Sequence, residues 1–69
     1  MRVEPAHPLA PGARQHFAEL VEQLGRTPSR EERGKLTSLA VWRHRIATGE
    51  ADPVERDLAR YEARKLGLN

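Results

Sequence analysis

The chain is expected to be all-α: a small three-helix bundle over residues 12–69, preceded by a disordered, proline-containing leader over residues 1–11. Three observations lead there. Large apolar residues recur at helical spacing in three separate segments. Each segment is closed by a glycine, and the second and third are opened by a capping residue. No stretch shows the alternation of a half-buried strand.

The leader contains Pro5, Pro8 and Pro11 at a spacing of three, which favours extended polyproline II and withholds helical hydrogen bonds. Arg2-x-x-Pro5-x-x-Pro8 matches a short pattern bound by proline-recognising domains, and it equally describes a stiff tail. The first helix is expected from about Gly12 to Leu24, with Phe17, Leu20, Val21 and Leu24 on one side and Gly25 as its left-handed stop.

The second helix, about Arg30 to Thr48, starts from Ser29 as N-cap with Glu32 three residues on, the pattern of a capping box, and stops at Gly49. Leu36, Leu39, Ala40, Ile46 and Ala47 share one side of its wheel. Gly34 is its weak point, where a break into a short helix and a second one from Lys35 is the alternative. The third helix, about Pro53 to Leu66, is announced by the N-cap Asp52, by Pro53 at the first helical position and by Glu55 in the first turn. Gly67 should end it, with Leu68 folding back in a Schellman contact.

A chain of 69 residues forms one domain with a thin core, expected to include Phe17, Leu20, Val21, Leu24, Leu36, Leu39, Trp42, Ile46, Val54, Leu58 and Tyr61. Additional stability from a partner is the natural consequence. There is no cysteine, which rules out disulfides and thiolate zinc sites and suits a reducing, cytoplasmic setting. No segment has the length of a membrane span, and the N-terminus lacks the apolar run of a signal peptide, so a soluble, unprocessed protein is expected.

The formal charge of +2 conceals a segregation: residues 1–25 carry −1, residues 26–48 carry +4 and residues 49–69 carry −1. Within the basic helix, Arg30, Arg33, Thr37, Val41, His44 and Arg45 are expected to project away from the Leu36/Leu39/Ile46 side. Such a stripe mixes guanidiniums for phosphate with Thr, His and a small apolar contact, and suits a helix lying in the major groove of DNA. It also has the composition of an ordinary solvated helix face.

Trp42 falls at the edge of the apolar side, where it either completes the core or anchors an interface. Arg43 lies nearer the apolar side and should find a carboxylate on the third helix. Arg56, Arg60 and Arg64 follow one another at i, i+4 spacing, where like charges cost a few tenths of a kcal/mol, roughly, per pair. Asp57 and Glu62 partly offset this, and the arginines either cover apolar surface with their stems while pairing with neighbouring acids, or form a second phosphate-contacting strip.

Catalytic chemistry is missing from the sequence. His7, His16 and His44 are scattered, only His16 and Glu19 have metal-like spacing, and no phosphate loop or nucleophile motif occurs. The chain is therefore expected to be no enzyme, with no cofactor, no metal site and no small-molecule substrate.

Phe17, Gly25-Arg26-x-Pro28-Ser29, Leu39-x-x-Trp42 with Arg45 close behind, Gly49, Leu58 and Leu66-Gly67 together resemble the bacterial helicase-associated domain over about residues 16–67. That family is a small three-helix module thought to bind DNA, so the resemblance implies a DNA-binding role. Residues 49–67 are similar to the C-terminal helix of small antitoxins that inhibit Fic-type toxins, whose serine-x-x-x-glutamate-glycine motif does not occur here.

The function expected is thus a non-enzymatic DNA-binding accessory or regulatory protein using Arg30, Arg33, Thr37, His44 and Arg45, with a homodimer doubling the basic surface. The alternative is a protein-binding module, an antitoxin, inhibitor or phage-type regulator, docking on a larger partner through Trp42, Arg56, Arg60 and Arg64.

Overall fold

The computed structural model describes residues 3–68. It contains three α-helices and, among the described residues, no strand: α1 spans Pro11–Leu24, α2 Arg30–Ala47 and α3 Pro53–Lys65. Each boundary falls within about a turn of the position that the sequence implies, because each is fixed by local chemistry.

At the start of α1, Pro11 occupies the first turn, where its missing N–H costs nothing. Gly25, at φ 76°, ends the helix by donating to the carbonyls of Val21 and Glu22. The capping box of α2 is complete: Glu32 N–H donates to Ser29 Oγ at 3.2 Å, and Ser29 N–H donates to Glu32 Oε1 at 3.0 Å. The helix runs unbroken through Gly34, so the tertiary packing of α2 outweighs the roughly 1 kcal/mol propensity cost of that glycine.

Asp52 Oδ1 caps α3 by accepting from Glu55 N–H at 2.8 Å. At its other end Leu68 N–H donates to the Ala63 carbonyl at 2.8 Å and Gly67 N–H to that of Arg64 at 3.0 Å, with Gly67 at φ 79°. This is the Schellman closure, and it buries Leu68 in the core.

The middle helix is the scaffold. Both α1 and α3 pack against α2, and no packing of α1 on α3 is found among the described residues. The bundle is accordingly flattened, 16 Å through its thinnest direction against 34 and 25 Å along the other two. Its core joins Phe17 and Leu20 of α1, Leu36, Leu39 and Ala40 of α2, and Ala59, Ala63 and Leu68 from the third segment. Trp42 and Ile46 are half-buried against it.

Packing of α3 departs from expectation. Val54, Leu58 and Tyr61 are 66%, 46% and 57% exposed, outside the core in which the sequence puts them. Only one side of a helix in a flat bundle can face its neighbour. In α3 that side is the one with Ala59 and Ala63, whose small side chains permit close approach to α2. The Schellman turn fixes the choice, since Leu68 can reach the core only by folding back over Ala63.

Residues 3–10 have no helix or strand. They lie against the domain: Val3 and Leu9 pack on the core, and Ala6 N–H donates to Thr37 Oγ1 at 3.0 Å. Arg2, which begins the proline pattern, lies outside the described residues.

Candidate interaction surface

The residues of the basic stripe expected on α2 stand in different surroundings in the fold. Arg30, at the helix start, is exposed. Thr37 is 1% exposed, a correction to the outward orientation that the helical wheel implies. Its hydroxyl donates to the Arg33 carbonyl at 2.7 Å while accepting from Ala6, so helix and leader together engage its only donor and one of its acceptor positions. Arg33 beside it is half-buried, with its Nε enclosed and lacking a hydrogen-bond partner.

His44 is half-buried at the junction with α1. A Cβ at Gly12 would collide with its imidazole ring, so this glycine is what lets the two helices meet there. The His16 ring sits alongside, 6.5 Å between centroids. Arg45 pairs with Glu55 of α3, Nη2 to carboxylate oxygen 3.2 Å. Of the five residues expected to read DNA from α2, the structure leaves Arg30 exposed and gives Thr37, His44 and Arg45 packing or pairing roles within the domain.

The sequence missed these uses for a simple reason. A wheel drawn for α2 alone assigns it one buried side, whereas a central helix covered by α1, α3 and the leader is buried from several directions. One signal was available: Gly12, at the start of an otherwise ordinary helix, marks a position where something approaches closely.

A second cationic surface lies at the junction of α2 and α3. Arg43 from α2, half-buried, and Arg56 and Arg60 from α3, both exposed, line one hollow of about 220 Å³ floored by Ile46, Ala59 and Ala63. Arg64, also exposed, extends the row by one turn. Arg56, Arg60 and Arg64 make no salt bridge among the described residues, and Asp57 and Glu62 of the same helix offset their mutual repulsion only through longer-range attraction.

By contrast Arg26, near the start of α2, is fully committed. Its Nη1 donates to Glu32 Oε1 at 2.7 Å and its Nη2 pairs with Oε2, a bidentate fork. That pairing first, and the Ser29 N–H second, hold the Glu32 carboxyl down from 4.5 to about 2. The pair locks the capping box and takes one arginine out of any interaction surface.

Beside the arginine row, α3 presents Val54, Leu58 and Tyr61 as a continuous apolar ridge. Lys65 continues it, with Nζ lying 4.9 Å from the centroid of the Tyr61 ring. Trp42 lies on the other flank of α3, lining a shallow hollow with Lys35, Ser38 and Glu62. It is both a core-edge residue and partly accessible.

The described residues contain no group of three or more His, Cys, Asp or Glu side chains placed to hold a metal ion. Nor do they include a helix long and apolar enough to cross a membrane. Comparison of the chain with protein-family models, with curated protein sequences and with solved structures gave no match.

Proposed function

We propose that the chain is a small, non-enzymatic DNA-binding accessory or regulatory protein of the bacterial cytoplasm, gripping the phosphate backbone through the α2–α3 junction. One observation carries the reading. Arg56, Arg60 and Arg64 form an exposed row without acidic partners among the described residues, and two of them share a hollow with Arg43. Like charges in a row destabilise the free domain slightly, and a polyanion lying along them relieves that cost while releasing counterions. Guanidinium in place of ammonium suits bidentate contact with phosphate oxygens.

Arg30, exposed at the far end of α2, is the member of the expected stripe still suited to a phosphate contact. The resemblance to the helicase-associated domain points to the same ligand. Contacts of this kind position a protein on DNA without reading its sequence, so affinity should vary little between duplexes. Titration of duplex DNA over a range of salt concentrations tests the reading: a steep linear fall of log affinity with log salt supports it. No binding at high micromolar protein in low salt rejects it.

A second reading is favoured by a different observation, the exposed Val54, Leu58 and Tyr61. In it the chain is a protein-binding module, an antitoxin, inhibitor or phage-type regulator, whose α3 docks in an apolar groove of another protein with Trp42, Arg56, Arg60 and Arg64 around the contact. Affinity capture with and without nuclease separates the two. Recovery lost on nuclease treatment indicates DNA, and a stoichiometric protein that survives it indicates docking.

A further inference from the structure

We infer that two copies of this chain pair through the Val54, Leu58 and Tyr61 ridge, with α3 lying antiparallel against α3 of the second copy. The pairing is separate from DNA binding and stands without it.

Spacing is the first argument. Val54, Leu58, Tyr61 and Lys65 follow one another at intervals of four, three and four, which is the d-a-d-a seam of a two-helix coiled coil. The residues behind that seam, Ala59 and Ala63, are the ones that α3 buries against α2. The seam therefore points away from the domain, and a second helix can reach it without disturbing the core.

Charge selects the occupant and its direction. The positions flanking the seam on its open side are Asp57 and Arg64, both exposed, one acidic and one basic. In an antiparallel pair each Asp57 faces Arg64 of the other copy, giving two complementary contacts related by the two-fold axis. A parallel pair sets Asp57 against Glu62 of the other copy twice, which like-charge repulsion opposes. On the inner flank the antiparallel pair sets Glu55 against Glu62 of the other copy, and the pairing of Glu55 with Arg45 of its own chain offsets part of that repulsion, whereas Asp57 has no such pairing to offset its contact with Glu62 in the parallel arrangement. Along the seam Leu58 meets Tyr61 of the second copy, and Val54 meets the aliphatic stem of Lys65.

This arrangement has a geometric consequence. In an antiparallel helix pair the two Asp57/Arg64 flanks lie on the same side of the dimer. Arg56 and Arg60 lie next to Arg64 on each helix, so the two hollows they line with Arg43 share that side. Pairing thus doubles the cationic surface on one face of the particle.

A single helix face per copy is a small interface, so the equilibrium should depend visibly on protein concentration. Sedimentation equilibrium on the full chain, from micromolar to millimolar, tests it. The mass should rise from 7.8 kDa toward twice that value. Leu58→Asp should stay monomeric throughout with an unchanged circular dichroism spectrum, since Leu58 is outside the core. Asp57→Arg alone sets arginine against arginine twice and should weaken association by about tenfold or more. Combining it with Arg64→Asp should restore pairing, which a merely local effect of either substitution would not do. A wild-type chain that stays at 7.8 kDa up to millimolar concentration overturns the inference. So does a dimer indifferent to Leu58→Asp, or a charge swap that fails to rescue. The salt titration of DNA binding is a separate measurement, so either reading can fail without the other.

Discussion

Replacing Thr37 by valine tests how the leader and α2 are held together. The substitution keeps the branched shape and nearly the volume of the side chain and removes only the hydroxyl. In the fold that hydroxyl accepts from Ala6 N–H at 3.0 Å and donates to the Arg33 carbonyl at 2.7 Å, and the residue is 1% exposed. The Arg33 carbonyl lies within α2, where a helical hydrogen bond remains after the change, so its loss is minor. Ala6 N–H loses its partner outright and recovers one only if the leader lifts into water. A net intramolecular hydrogen bond contributes roughly 0.5–1.5 kcal/mol, so Thr37→Val should cost about 1 kcal/mol. For a domain of this size that lowers Tm by about 4–8 °C. Thermal unfolding measures the loss, and amide hydrogen exchange locates it: the Ala6 amide should exchange faster while amides in the middle of α1 and α3 stay protected. Thr37→Ser, which keeps the hydroxyl, should leave Ala6 protected. DNA affinity should be the same for Thr37→Val and wild type, because the hydroxyl faces inward. Unchanged Ala6 exchange, or a loss of DNA affinity without loss of stability, would refute the reasoning.

Two glycines should respond differently to alanine. Gly34 lies within α2 with nothing within 4 Å of an added Cβ, so Gly34→Ala should stabilise by up to about 1 kcal/mol in denaturant unfolding. At Gly12 the added carbon meets the end of the His44 side chain, so Gly12→Ala should displace that ring, seen as a change in its NMR ring-proton shifts, and should gain less stability than Gly34→Ala in the same assay. The Glu32 carboxyl is held down from 4.5 to about 2, chiefly by Arg26, so the stability it lends is fully present above pH 4.5 and is lost as pH falls toward 2. Arg26→Ala should therefore show a smaller drop in Tm than wild type across that window. The difference should shrink in high salt, because the pair is exposed.

Much of the architecture was legible in the sequence because helix ends are decided locally. Ser29 with Glu32, Asp52 with Pro53, and Gly25 and Gly67 in left-handed conformations act within a few residues, and all appear where they were read. Which side of each helix is buried is a tertiary question, and there the sequence misled. In α3 the alanines Ala59 and Ala63 carry weak hydropathic signal beside Val54, Leu58 and Tyr61, yet small size is what a close helix contact needs. In α2 the wheel could not register the leader over Thr37 or α1 against His44. The arginine row of α3 was visible from its spacing, but its convergence with Arg43 depends on how α3 sits on α2.

We propose that DNA meets the cationic surface at the α2–α3 junction in preference to the stripe expected on α2. The salt dependence of DNA affinity for Arg56→Ala/Arg60→Ala and for Arg33→Ala, each compared with wild type at equal protein concentration, tests it most directly. Each phosphate contact made by a cation contributes roughly one unit to the log–log slope, so the α3 variant should lose about two units per chain and the α2 variant none. An unchanged slope for Arg56→Ala/Arg60→Ala, together with a reduced slope for Arg33→Ala, would contradict the account.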